Sequence, residues 1–133
     1  MTFMEAHFPK KKGPKYLDLL RIRQPLPAIV SILHRISGIL LFFPGIPLIL
    51  YALQTALYSP EGFAHLLFNL EHPIAKLLLL LAVWFYLHHL CAGVRHLALD
   101  LHLGLSLPQA RFSSKLALFS GIILTALVGV WLW

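Results

Sequence analysis

The chain has few charged residues, few acids and almost no cysteine. Only 12% of its 133 residues are charged, with eleven Lys and Arg against five Asp and Glu. This number of charged side chains is too small to cover the surface of a soluble domain of this length. The single cysteine, Cys91, excludes an intramolecular disulfide, and it lies in an apolar segment where it is expected to be a small core residue.

Long uncharged apolar runs dominate the middle and the end of the chain. Hydrophobic residues make up 59% of the sequence, and the mean hydropathy is +0.79. A bilayer needs roughly 20 consecutive apolar residues for one helical span. The sequence therefore predicts an all-α membrane protein of one domain, with three transmembrane helices at about 28–58, 73–101 and 113–133. We expect loops at 59–72 and 103–111, and a helix bend near Pro44 and Pro47.

The distribution of Lys and Arg predicts the topology. Six of them precede the first span and three lie near the second connection (Arg95, Arg111 and Lys115), whereas only Lys76 is near the first connection. By the positive-inside rule, the N-terminal segment 1–27 and the second connection are cytoplasmic. The N-terminal segment also lacks the pattern of a signal peptide. The net charge of +6 thus indicates membrane topology and not nucleic-acid binding.

Two polar clusters interrupt the apolar spans. One is SILHRISG at 31–38 in the first span, and the other is HHLCAGVRHLALD at 88–100 in the second. With the predicted topology, both clusters lie in the cytoplasmic half of the membrane. Ionisable side chains are costly inside a bilayer, so these clusters predict a membrane-embedded cofactor site.

The second cluster has a spacing suited to haem. His89, Gly93, His96 and Asp100 follow one another at i, i+4, i+7 and i+11, which places them along one stripe of a helix. Imidazole is a good iron ligand, and glycine lets the flat macrocycle approach the helix. His88 points away from this stripe and is the weaker ligand candidate. An intramembrane histidine can also be an interhelical hydrogen-bonding residue without any metal.

The first cluster offers charge and hydrogen bonding. Ser31 and Arg35 form one i, i+4 pair, and His34 and Gly38 form the adjacent pair. Haem propionates or a quinone carbonyl would satisfy the guanidinium, and the serine hydroxyl suits a quinone headgroup. The alternatives are that Arg35 reaches lipid phosphate and that Ser31 packs helices.

Small residues form a stripe in the third span. Gly121, Thr125 and Gly129 are spaced i, i+4 and i+8. We expect this stripe to pack against a neighbouring helix.

The two motifs together resemble the cytochrome b subunit of succinate dehydrogenase. The resemblance rests on SILHRISG and on H-x-x-x-G-x-R-H-x-x-x-D at 89–100, with an S-P-E-G turn at 59–62, and it covers nearly the whole chain. It implies that His89 is an axial ligand of haem b iron. It also implies that Ser31 and Arg35 bind ubiquinone, and that His34, Arg35 and His96 lie by the haem propionates.

The resemblance also implies the partners and the reaction. The second axial histidine comes from a companion small membrane-anchor subunit, and a flavoprotein and an iron-sulfur subunit pass electrons from succinate to quinone. The implied location is the bacterial inner membrane. The chain would anchor these subunits and perform no succinate chemistry. The alternatives are a fumarate reductase anchor that oxidises quinol, or a haem-free structural anchor. A transporter or channel is disfavoured because inverted repeats are absent.

Overall fold

The computed structural model describes residues 23–133, and within this range all regular secondary structure is helical. Residues 1–22 lie outside the described residues, and with them most of the segment predicted to be cytoplasmic. The elements in chain order are helix α1 (Leu26–Leu40), a π segment (Leu41–Gly45), α2 (Ile46–Tyr58), α3 (Pro60–Glu71), α4 (Pro73–Asp100) and α5 (Leu107–Leu132).

Three stretches of helix are long and apolar enough to cross a membrane, as the sequence predicts. They are Leu26–Tyr58 with 33 residues, Pro73–Asp100 with 28 and Leu107–Leu132 with 26. At 1.5 Å per residue, even the shortest would measure about 39 Å, against a hydrocarbon core of about 30 Å. The protein is therefore a multi-pass, all-α membrane protein.

The first span is helical throughout, and its prolines are accommodated locally. Pro27 lies in the first turn of α1, where its missing N–H costs no helical hydrogen bond. Pro44 lies inside the π segment, and Pro47 lies in the first turn of α2. A proline inside a helix lacks the backbone N–H that would donate one helical hydrogen bond. A single π turn lets the neighbouring backbone groups pair around the missing bond. Near Pro44, where the sequence predicts a helix bend, the chain forms a π segment.

The predicted loop at 59–72 is wrong, because most of this segment is helix α3. Ser59 caps the helix by accepting a hydrogen bond from the Gly62 N–H at 3.0 Å. Pro60 follows at the first position and Glu61 lies in the first turn, next to the positive end of the helix dipole. The S-P-E-G turn is therefore a helix start.

The third span also begins earlier than predicted, at Leu107 instead of residue 113. Pro108 lies within the predicted loop at 103–111, but it is in the first turn of α5, where proline is tolerated. The preceding connection contains two left-handed residues, His102 with φ 61° and Gly104 with φ 76°. Next to them, the Leu103 N–H donates to the Ala98 carbonyl at 2.9 Å and closes the end of α4.

Helices α1, α4 and α5 form a bundle in which each contacts the other two. The buried apolar core is small and consists of Val30, Ala92 and Ala117. At the far end, the Lys76 Nζ lies 5.4 Å from the centre of the Trp133 ring, so the start of α4 is next to the end of α5. Most large apolar side chains are exposed on the outside of the bundle, as expected where lipid or a companion subunit replaces water.

Small residues let α4 and α5 approach closely along a contact that we refer to as the α4–α5 seam. A Cβ added at Gly121 would lie 3.2 Å from the His88 Cα, so only glycine fits there without a backbone shift. Thr125 is buried and donates to the Gly121 carbonyl at 2.7 Å. At Gly129, a Cβ would meet the Leu80 side chain at 3.4 Å. The predicted packing role of this stripe is confirmed.

Candidate functional site

Three histidines from two helices meet on one side of α4. Helix α1 contributes His34, and α4 contributes His89 and His96. The His34 and His89 rings are stacked, with centroids 4.1 Å apart and an angle of 13° between their planes. The His96 ring centroid lies 5.0 Å from that of His34. We refer to these residues as the histidine cluster; the two sequence motifs meet there because α1 packs against α4.

The His89 ring is held through its Nδ1 atom. This atom lies 3.0 Å from the His34 carbonyl oxygen and 3.0 Å from the Ser37 Oγ. The Ser37 hydroxyl donates to the same His34 carbonyl at 2.8 Å. The Nδ1 atom of His89 therefore faces two oxygen atoms of α1.

These contacts select one tautomer of His89. A backbone carbonyl only accepts hydrogen bonds, so the proton of a neutral imidazole belongs on Nδ1 when this atom faces a carbonyl. The Nε2 atom then keeps its lone pair and can act as a metal ligand. Metal-bound histidines are commonly oriented in this way, by a hydrogen bond from the other ring nitrogen to a carbonyl.

Two glycines make room beside the histidine rings. A Cβ added at Gly38 would lie 3.0 Å from the His89 Cε1, and one added at Gly93 would lie 3.4 Å from the His34 Nε2. Larger side chains at these positions would push the rings aside. The glycine of each motif thus allows a histidine ring of the cluster to lie against the helix backbone.

His88 lies in a different environment from its neighbour His89. Its side chain is fully buried, with 0% exposure, inside the α4–α5 seam. The ring stacks on Trp84 with centroids 5.5 Å apart, and neither ring nitrogen has a hydrogen-bond partner among the described residues. Because the chain itself encloses this ring, an external cofactor cannot reach it without a rearrangement of the helices.

His96 and the remaining polar residues of the two motifs differ in their exposure. His96 is half-buried, and its Nε2 is a buried atom without a partner in the described part of the chain. Arg35 is exposed on α1, and Ser31 is half-buried one turn before it. Asp100 is exposed at the last position of α4. The structure thus brings His34, His89 and His96 together, and it leaves Ser31 and Arg35 on the neighbouring surface of α1.

Arg95 belongs to the α4–α5 seam and not to the histidine cluster. It is only 8% exposed, and its Nε donates to the Ser113 Oγ at 3.2 Å. Both residues line a pocket of about 420 Å³ between α4 and α5. His88 and Arg95, seven residues apart on α4, are therefore both buried.

Ser37 contacts the histidine cluster, although the sequence analysis assigns it no role. A serine hydroxyl in a helix commonly bonds a carbonyl three or four residues earlier, so its bond to His34 carries no functional signal by itself. Its contact with His89 joins residues 52 positions apart in the chain. Only the packing of α1 on α4 reveals this contact.

The cluster is unlike a site for a bare metal ion. Among residues 23–133, no group of three or more His, Cys, Asp or Glu side chains is placed to hold such an ion. A haem iron differs, because the porphyrin nitrogens supply most of its ligands and the protein contributes only axial ones. The Nε2 atom of His89, which keeps its lone pair when the proton is on Nδ1, fits this second kind of site.

Comparisons with known proteins identify the family. Residues 9–128 match the family model described as succinate dehydrogenase/fumarate reductase transmembrane subunit. The chain is 43% identical to the succinate dehydrogenase cytochrome b556 subunit of Coxiella burnetii over 92% of this chain and 98% of the relative. It is 37% identical to the protein of that name from Paracoccus denitrificans, over 79% of this chain and 80% of the relative. The chain therefore belongs to the succinate dehydrogenase/fumarate reductase transmembrane subunit family, whose members are membrane subunits of an enzyme complex.

Proposed function

We propose that this chain is the cytochrome b subunit of a succinate:quinone oxidoreductase, in which it binds haem b through His89 and forms part of a ubiquinone site with Ser31 and Arg35. The observation that carries the haem assignment is the His89 Nδ1 contact with the His34 carbonyl at 3.0 Å. It leaves Nε2 available as an axial ligand. The relatives are named cytochrome b556 subunits, which supports a b-type haem here.

The glycine pair and the neighbouring polar groups fit the same cofactor. Gly38 and Gly93 let the His89 and His34 rings lie close to the helix backbones, since an added Cβ would lie 3.0 Å from the His89 Cε1 or 3.4 Å from the His34 Nε2. His34, His96 and Arg35 would hold the propionates, since imidazole N–H groups and a guanidinium donate well to carboxylates. The unpartnered His96 Nε2 is one such group. When bound, the haem supplies a one-electron redox centre.

A reduced-minus-oxidised optical spectrum of the assembled complex tests the haem ligand. We expect His89→Ala to abolish the low-spin b-type signal and His88→Ala to retain it. The two residues are neighbours, so each variant is a matched control for the other. A b-type signal that survives His89→Ala would refute the assignment. A wild-type complex without haem would instead favour a structural anchor.

The proposed quinone site uses Arg35 and Ser31. Arg35 would direct its guanidinium at a quinone oxygen, where negative charge develops as electrons arrive from an iron-sulfur subunit. The Ser31 hydroxyl would donate to a quinone oxygen and orient the ring. The quinone takes up two electrons and two protons to become quinol. The two residues are one turn apart on α1, and Arg35 is exposed, so a headgroup can reach both.

Enzyme assays with two electron acceptors test this part of the proposal. We expect Ser31→Ala and Arg35→Lys to lower succinate:ubiquinone reductase activity by roughly tenfold. This is the change in rate expected when the transition state loses one hydrogen bond that involves a charged group. Succinate oxidation with a soluble artificial acceptor should stay near the wild-type rate. Ser106→Ala and Arg111→Lys, at exposed positions of the α4–α5 connection and α5, serve as matched controls. Equal losses with both acceptors would contradict a quinone role.

The partners and orientation complete the proposal. A companion small membrane-anchor subunit would supply the second axial ligand, and a flavoprotein and an iron-sulfur subunit would dock at the cytoplasmic face of the bacterial inner membrane. The N-terminus would be cytoplasmic, as the distribution of Lys and Arg indicates. Physiological turnover in the succinate-oxidising direction is favoured because both relatives above are named as succinate dehydrogenase subunits.

A further inference from the structure

Ser37 has an environment that a simple packing role does not require. Its side chain is fully buried, with 0% exposure, and its oxygen lies 3.0 Å from the His89 Nδ1. The same oxygen lies 2.8 Å from the His34 carbonyl. Three polar atoms from two helices thus form a closed triangle next to the proposed haem ligand.

The direction of each hydrogen bond in this triangle follows from counting protons. A serine hydroxyl has one proton and two lone pairs, and a carbonyl has no proton to give. The hydroxyl proton goes to the His34 carbonyl, since two oxygen atoms 2.8 Å apart would otherwise repel each other. The hydroxyl oxygen can then only accept from His89, and both neighbours of the His89 Nδ1 require a proton on that atom.

The His34 carbonyl alone is a poor anchor for His89. Within α1, this carbonyl also accepts the ordinary helical bond from the Gly38 N–H, and it accepts the Ser37 hydroxyl as well. A carbonyl oxygen has two lone pairs, so three donors must share it. The hydroxyl oxygen of Ser37 supplies a second acceptor for the His89 Nδ1–H.

We propose that Ser37 is a positioning residue for the haem ligand: its hydroxyl accepts the Nδ1–H of His89 and holds this ring in the orientation and tautomer that present Nε2 to iron. This inference rests on the proposed haem function of His89. An acceptor at Nδ1 increases the electron density that an imidazole donates to its metal, so Ser37 would also influence the midpoint potential of the haem.

Another buried serine provides a matched control. Ser114 is likewise 0% exposed, and its hydroxyl donates to a carbonyl of its own helix, that of Ala110, at 2.6 Å. It lies in α5 and has no hydrogen bond with a histidine in the described part of the chain. Replacing either serine by alanine removes one buried hydroxyl, but only the change at Ser37 removes an acceptor from His89.

The experiment measures the haem of the purified wild-type complex and of the Ser37→Ala, Ser37→Cys and Ser114→Ala variants. Its readouts are the midpoint potential, the low-spin ferric EPR spectrum, and the rate of haem transfer to excess apomyoglobin. We expect Ser37→Ala to shift the potential to more positive values, to change the g values, and to lose haem about tenfold faster. Ser37→Cys keeps the side-chain size with a weaker acceptor and should lie between.

The outcomes separate this inference from the proposed function. The wild-type potential, spectrum and haem transfer rate in Ser37→Ala would overturn the inference, and so would the same changes in Ser114→Ala. In both cases His89 could still be the ligand. If the wild-type complex holds no haem, or His89→Ala keeps it, the proposed function fails and this inference fails with it. If Ser37→Ala does not assemble, the potential and spectrum of Ser37→Cys decide: a shift supports the role, and wild-type values overturn it.

Discussion

The histidine cluster and the α4–α5 seam present neighbouring residues of one helix to opposite surroundings. His89 faces α1, with its Nδ1 bonded to oxygen atoms of that helix, whereas His88 is sealed between helices with both ring nitrogens unpartnered among the described residues. The two helices are so close at Gly121 that an added Cβ would lie 3.2 Å from the His88 Cα. Histidine thus makes polar contacts with another helix on one side of α4 and is enclosed by helix packing on the other.

This comparison teaches that burial alone does not identify a ligand site in a membrane subunit. His88 is the more deeply buried histidine, yet the chain itself encloses it, so neither a cofactor nor a companion subunit can reach the ring. His89 is half-buried, and its Nδ1 contacts with two oxygen atoms of α1 favour the tautomer that leaves Nε2 unprotonated. His88 and His89 differ in whether a partner can reach the ring and in whether the ring nitrogens are hydrogen-bonded. The following substitutions test that difference.

The largest effect is expected from a side chain added in the seam. Gly121→Val would place its Cβ 3.2 Å from the His88 Cα, which is backbone and cannot turn away. Overpacking of this kind costs roughly 1–3 kcal/mol of stability. The thermal denaturation midpoint and the yield of assembled complex measure the loss. Gly129→Val is the control, because its nearest neighbour is the flexible end of Leu80. Similar losses in both variants would show that Gly121 has no special role.

A side chain added at the histidine cluster should have a different consequence. Gly38→Val places its Cβ 3.0 Å from the His89 Cε1, which belongs to a side chain that can rotate. We expect the complex to assemble but to lose most of its b-type optical signal, because the displaced ring no longer presents Nε2 correctly. The haem-to-protein ratio of purified complex measures this effect. A normal ratio would mean that the close approach of the His89 ring to Gly38 is not needed for haem binding.

Replacement of His88 by an apolar residue sharpens the comparison further. His88→Leu removes two buried ring nitrogens that have no partner in residues 23–133. An unsatisfied buried polar group costs about 1–3 kcal/mol, so the free energy of unfolding should rise by about 1 kcal/mol after some loss of packing on Trp84. The haem spectrum should not change. Loss of haem in this variant would show that His88 contributes to the cofactor site after all.

The smallest effect is expected at the polar contact of Arg95. Ser113→Ala removes the oxygen that accepts from the Arg95 Nε at 3.2 Å. The buried guanidinium loses one hydrogen bond, at a cost of about 1 kcal/mol. The denaturation midpoint should fall slightly, with normal haem content. Ser120→Ala, at a half-buried position of the same helix, should leave the midpoint unchanged. A larger fall in Ser120→Ala than in Ser113→Ala would contradict this account.

The sequence predicted the three spans well and their connections poorly. Apolar runs of this length have one stable solution in a bilayer, a helix that satisfies its own backbone. Pro60, Gly62 and Asn69 are turn formers and predict a loop at 59–72, but Ser59 caps a helix there. Likewise, Pro108 lies in the first turn of α5, which begins at Leu107, and does not interrupt the helix. Proline and glycine mark a helix boundary, and local capping decides on which side of them the helix lies.

By itself, the sequence determined the membrane class, the helical spans and the stripe that carries His89, Gly93 and His96, because these follow from hydropathy and helical periodicity. Only the tertiary structure decided which face of α4 meets α1. That packing set the contact between His89 and Ser37, and it sealed His88 against Gly121. Periodicity fixes the angle between two side chains on one helix, whereas the surroundings of each depend on residues more than thirty positions away that pack against it.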